Sequence, residues 1–189
     1  MRMLLLPVLA VSLAGCGPYL IATAAVSAVS ATYGVATDER SMSTQVADTQ
    51  VEALVRAGLL ASPVKGTGSL DVFCRKGVAV LAGAVPRGSS AGAEAVKIAR
   101  ETTGVRRVRT YFVSGHASPM SDFGIKMKIK AALVTDPGVV ASRVDIGVYS
   151  GHVVLVGVAA SRAQREKFIE DARSVGGVVA VRSYFQLNA

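Results

Sequence analysis

GVRRVRTYF, residues 104–112, returns as GVVAVRSYF at residues 177–185. Both strings place a glycine before alternating Val and Arg and then a Tyr-Phe pair, which is how a helix stop followed by a half-buried strand reads. Working outward, the likeness widens in both directions. DTQVEALVRAGLLASP (48–63) aligns with DFGIKMKIKAALVTDP (122–137) at an offset of 74. At the same offset Asp71-Val72 meets Asp145-Ile146, and GVAVLAG (77–83) meets GHVVLVG (151–157). One residue is then lost, and the offset becomes 73 for Ala99/Ala172 and for the opening strings. The 189-residue chain therefore carries two copies of one module.

Each module reads as helix, strand, strand, helix, strand. In the second copy Ile125, Ile129, Ala132 and Leu133 keep a helical spacing, Asp122 falls near an N-cap position, and Pro137 ends the helix. Strands are expected at 144–149 and 152–158, joined by a tight turn at Ser150-Gly151. A second helix over 162–175 puts Phe168, Ala172 and Val175 on one stripe, and Gly177 is its expected C-terminal cap before a strand over 178–185. The fold class is α+β: two tandem αββαβ modules, each a three-stranded mixed sheet with two helices on one face.

The N-terminus suggests an address. MRMLLLPVLAVSLAGC has a basic start at Arg2 and an apolar run too short for the roughly 20 residues that span a bilayer, as in a secretory signal. Leu13-Ala14-Gly15-Cys16 looks like a bacterial lipobox, which makes Cys16 a lipidation site; the alternative is an ordinary signal with a chance cysteine. Gly17 stands where an aspartate would resemble an inner-membrane retention signal, which leans toward the outer membrane. Residues 18–37 carry no charge, but Ala, Ser and Thr dominate, so they read as a tether rather than a span. The expected organisation is signal peptide 1–15, lipidated N-terminus and tether 16–42, first module 43–114, linker 115–121 and second module 122–189.

A net charge of +8 calls for an anionic partner. Export removes nucleic acid from the candidates and leaves a phospholipid surface or an acidic protein. No chemistry competes with binding. His116 and His152 have no neighbouring triad, no metal-ligand spacing occurs, and no glycine loop suits a phosphate, so no enzyme activity, metal or cofactor is expected. Cys74 aligns with Val148 and reads as a buried small apolar residue rather than a redox or metal group.

The two first helices differ most where they face solvent. Opposite the Ile125/Ile129/Ala132 stripe lie Phe123, Lys126, Met127, Lys130 and Val134. Apolar groups between lysines suit an interfacial membrane surface, and the same face of copy one (Thr49, Glu52, Ala53, Arg56, Leu60) is close to neutral. The competing reading is a solvated lysine face with Phe123 packed on the linker or the other module. On the last strands Arg107, Arg109 and Tyr111, and in copy two Arg182, Tyr184 and Tyr149, point away from the helices beside Phe73, Val78, Val80, His152 and Val154. Such half-apolar sheet faces seldom stay bare. One is expected to be covered by module packing, and the other is a candidate partner surface.

The pattern Gly151, Val153, Leu155, Gly157, then a helix, then Gly177, Val178, Val181 resembles the BON domain, as does Gly77, Leu81, Gly83, Gly104, Val105, Val108 with Ala79 as the one departure. Together with the lipobox and the 36–52 linker, the chain is similar to the dual-BON outer-membrane lipoproteins, the division- and outer-membrane-stress-associated lipid-binding family. The resemblance implies an αββαβ fold, a lipid-anchored outer-membrane protein facing the periplasm, anionic phospholipid binding through the second module, and a role in envelope integrity. That family carries its helix-start aromatic one position later, at Gly124 here. The alternative function is an adaptor that uses the open sheet faces to bind outer-membrane assembly proteins.

Overall fold

A computed structural model describes residues 42–114, 119–135 and 144–187. The expected signal, the expected tether up to residue 41, Cys16, His116 and Pro137 lie outside the described residues. The first module runs α1 (Met42–Ala61), a 3-10 turn (Thr67–Ser69), β1 (Asp71–Arg75), β2 (Val78–Val85), α2 (Ala91–Glu101) and β3 (Arg107–Ser114). The second repeats it as α3 (Pro119–Thr135), β4 (Val144–Tyr149), β5 (His152–Ala159), α4 (Arg162–Ser174) and β6 (Ala180–Leu187). Strand order is β1-β2-β3 in one sheet and β4-β5-β6 in the other. The hairpin pair is antiparallel and the crossover pair parallel in both sheets, so each is mixed.

Two helices cover one face of each sheet because their apolar stripes match the inward strand positions. In the second module Ile125, Ile129 and Leu133 of α3 and Phe168, Ile169 and Ala172 of α4 bury against Ile146, Val148, Val153 and Leu155. In the first, Val51, Val55 and Leu59 of α1 and Ala95 and Ala99 of α2 bury against Val72, Cys74 and Leu81. The modules fill the same space with different side chains. Phe168 stacks on Phe185 with ring centroids 5.0 Å apart. The first module has Ala95 at the matching helix position, and Phe112 instead lies against Gly92, where an added Cβ would meet its ring at 3.0 Å. A smaller helix residue is offset by a closer ring, which keeps the core dense.

Two expectations need correcting. The first helix of the second module begins earlier than read, at Pro119. Asp122 is accordingly no N-cap: it is buried within α3, and its carboxylate reaches across to the β4–β5 turn. Gly177 is not the cap either. α4 is capped at Val175, and Gly177, two residues on, takes φ +96° where the chain turns into β6.

The open sheet faces pack on each other. Val80 and Ala82 of β2 and Tyr149, Val154 and Val156 of the second sheet form a buried cluster, with Phe73, Tyr111, Val113 and Tyr184 around it. Both β2 and β5 are thus covered on two sides and read as nearly unbroken buried runs. The layers run helices, sheet, sheet, helices. Polar contacts cross between the sheets: the Tyr149 hydroxyl donates to Asp71 Oδ2 at 2.6 Å, Tyr111 Oη bonds His152 Nδ1 at 3.0 Å, and Arg75 pairs with Asp145. Tyr184 Oη donates to the Thr110 carbonyl at 2.7 Å, and Gln186 Nε2 to the Arg75 carbonyl at 2.6 Å. Burial, and then the Asp71 charge and hydrogen bond, push the Tyr149 phenol up, which keeps it a neutral donor.

Candidate functional site

The outer face of α3 is built by periodicity alone. Asp122, Ile125, Ile129 and Leu133 are turned inward and buried, so residues half a turn away must face water. Met120 is 85% exposed, Phe123 62%, Met127 48% and Val134 72%. At 100° per residue these four share about 60° of arc, centred opposite the core stripe. Lysines border the stripe on both sides, with half-buried Lys126 and exposed Lys130 along one margin and exposed Lys128 along the other. None of the three ammonium groups has a hydrogen bond or ion pair to a described residue. Phe123, Lys126, Met127 and Lys130 therefore share one outer surface. Met120 and Lys128 also belong to it; helical spacing would have found Met120 had the helix start been placed three residues earlier.

A depression of about 510 Å³ opens beside the N-terminal half of this stripe, rimmed by Met120, Gly124, Lys128, Ser150-Gly151 and Gly176-Gly177. An added Cβ at Gly124 would touch nothing within 4 Å, so packing does not demand glycine there. The turn at its edge is held from the helix side. Ser150 and Gly151 take φ +52° and +76°, as a two-residue hairpin turn of type I′ needs, and their N–H groups donate to the two Asp122 oxygens at 2.8 and 2.9 Å. The first module repeats the device. Lys76 and Gly77 take φ +48° and +73° and donate to Asp48 at 2.8 and 3.0 Å.

The matching face of α1 is different. Val46, Leu54 and Leu60 are exposed there, but the charges are engaged within the module. Arg56 pairs with Glu52 at 3.4 Å, and Glu52 Oε2 accepts from the Cys74 N–H at 3.3 Å. Cys74 itself is a free, buried thiol. Burial, then the Asp48 charge and hydrogen bond, push it up to about 12, so it stays protonated and unreactive at neutral pH.

The candidate partner surface divides. Tyr111, Tyr149 and Tyr184 are taken up between the sheets. Arg107, Arg109 and Arg182 stay exposed, because they sit on the edge strands β3 and β6 at the margin of the packed area. Among the described residues no group of three His, Cys, Asp or Glu could hold a metal ion, and no helix is long and apolar enough to cross a membrane.

Fold and site together define a tandem αββαβ protein with one helix face left apolar and basic. A family model of the BON domain matches residues 47–113 and 121–189, and the chain belongs to the BON domain family. BON domains as a class are associated with membrane and phospholipid binding and occur in periplasmic and membrane-associated bacterial proteins. Among solved structures, the C-terminal domain of CdsD, a structural protein of the type III secretion system of Chlamydia trachomatis, aligns at 14% identity and a TM-score of 0.32, over 75% of this chain and 67% of that one. A second CdsD structure aligns at the same identity and score over 75% and 63%. These scores are too low for the likeness to bear on function.

Proposed function

We propose that this protein is a non-enzymatic lipoprotein, anchored in the outer membrane through Cys16 and facing the periplasm, whose second BON module binds anionic phospholipid with the outer face of α3 and so supports envelope integrity. The observation that carries the reading is the stripe of Met120, Phe123, Met127 and Val134, exposed along one line and bordered by Lys126, Lys128 and Lys130. Its apolar groups can enter the acyl boundary while the ammonium groups sit at headgroup level. Each basic residue near such a surface contributes about 1 kcal/mol. The paired charges of α1 offer no equivalent. The apolar parts of the open sheet faces, on which the adaptor alternative drew, cover each other, and Arg107, Arg109 and Arg182 are what that surface leaves exposed.

Vesicle flotation of the compact unit Thr37–Ala189 tests the reading without the anchor. Recovery is expected with phosphatidylglycerol-containing vesicles and not with phosphatidylcholine alone. Lys126→Glu with Lys130→Glu should lower it at least about tenfold, since two reversals change the attraction by several kcal/mol. Equal recovery on neutral and anionic vesicles, unchanged by that double variant, would overturn it.

A further inference from the structure

β6 is the last strand of its sheet: it pairs with β5 over Ala180–Leu187, and its other edge has no ladder partner among the described residues. Along it runs a groove of about 660 Å³ lined by the consecutive residues 181–186. α4 contributes Ile169 and Arg173 to the wall, and the first module contributes Val78, Arg107 and Arg109. Arg107, Arg109, Arg173 and Arg182 are all exposed, and none of their guanidinium groups has a hydrogen bond or ion pair to a described residue. Four arginines from two modules thus line one cleft, with no acidic residue among its described lining. Their mutual repulsion is relieved when an anion enters.

We infer that this groove is a docking site for an extended acidic segment of a partner protein, which adds to the sheet as a strand beside β6. The main chain selects the occupant. An open edge presents carbonyl acceptors as well as N–H donors, and a phosphate can satisfy only the donors, whereas an added strand satisfies both. Six strand residues extend about 20 Å, enough for a segment of comparable length carrying a carboxylate at every second position. Planar guanidinium forks match such carboxylates two bonds at a time. Charge of a single sign also repels basic strands and deters indiscriminate edge pairing, so the walls that admit an acidic segment exclude others. The site lies on different elements from the α3 stripe and does not depend on the lipid reading.

Fluorescence anisotropy of the full chain with a capped, labelled hexapeptide of alternating Glu and Val tests it. Saturable binding is expected at about 50 mM salt and at least about tenfold weaker binding at 300 mM, since exposed charges are screened. The variants Arg107→Glu with Arg109→Glu and Arg173→Glu with Arg182→Glu should each weaken binding at least about tenfold, because bidentate charge-assisted bonds are lost. On the unaltered protein, a hexapeptide N-methylated at every second amide should bind about tenfold less well, and the unmethylated peptide should slow amide exchange over 180–187. Equal binding of the methylated peptide would overturn the strand geometry, whatever the folding of the variants. Absent peptide binding, with residues 180–187 protected instead by inorganic phosphate or by phosphatidylglycerol vesicles, would overturn the choice of a protein partner.

Discussion

Asp122→Asn separates two readings of the same residue. As a helix cap, Asp122 would contribute about 1 kcal/mol. As the structure places it, the buried carboxylate accepts from Ser150 at 2.8 Å and from Gly151 at 2.9 Å. Hydrogen bonds to a charged acceptor contribute about 1.5–3 kcal/mol each. Asn keeps one oxygen, so one bond survives in weaker neutral form, while its NH2 group faces the other N–H and leaves that donor unmet. Ser150 is half-buried and open to water, whereas Gly151 is buried, so the rotamer that keeps the Gly151 bond is the cheaper one. The expected loss is about 2–3 kcal/mol, a fall of roughly 1 M or more in the urea midpoint. Amide exchange localises the effect, with Ser150 and Gly151 speeding up more than β5. Asp48→Asn should behave likewise at Lys76 and Gly77. A loss below about 1 kcal/mol, with turn exchange unchanged, would refute the clasp and restore the cap.

The other expectations concern the sheet interface, the buried thiol and the turn. Tyr149→Phe removes the 2.6 Å donor to Asp71 and should lower stability by about 1–3 kcal/mol in thermal or urea melts, with Asp71→Asn adding little further in the same background. Cys74 lies at about 12 against an ordinary 9.0, so the folded state holds this proton more tightly than the unfolded chain does. Its contribution is full below pH 9 and is lost as pH rises toward 12, by up to about 1.4 kcal/mol per unit. Urea midpoints between pH 8 and 11 should decline less steeply in Cys74→Val, and Tyr149, shifted in the same direction, accounts for part of what decline is left. Ser150→Asn suits the φ of +52° better and should raise stability by about 0.5 kcal/mol, read as a small upward shift in midpoint.

The module was legible because both copies keep their core residues at one spacing, and spacing is what burial imposes. The outer face of α3 was legible for the same reason, since a helix that buries 125, 129 and 133 has no choice about what it exposes. The role of Asp48 and Asp122 was not, because an aspartate near a helix start looks the same whether it caps its own helix or holds a distant turn. The available sign was that both copies also keep a two-residue turn 28 residues further on. The apolar sheet faces announced a need for cover, but what covers them depends on contacts such as Arg75 with Asp145, 70 residues apart, which no local pattern encodes. The arginine groove was half visible: the outward turn of Arg107, Arg109 and Arg182 follows from strand alternation, while Arg173 joins Arg182 through the packing of α4 on its own sheet, and Arg107 and Arg109 join both only through the packing of the modules.

The face-to-face sheets also bear on why the module comes in pairs. Covalent linkage holds the second face at an effective concentration of the order of millimolar, so cover is secured before any collision with another chain. A single module cut from its twin would carry the apolar face made by Val80 and Ala82, or by Val154 and Val156, into water. Its available remedy is a second copy of itself, so an isolated module should associate with its own kind, and the tandem chain is in effect a dimer closed within one polypeptide.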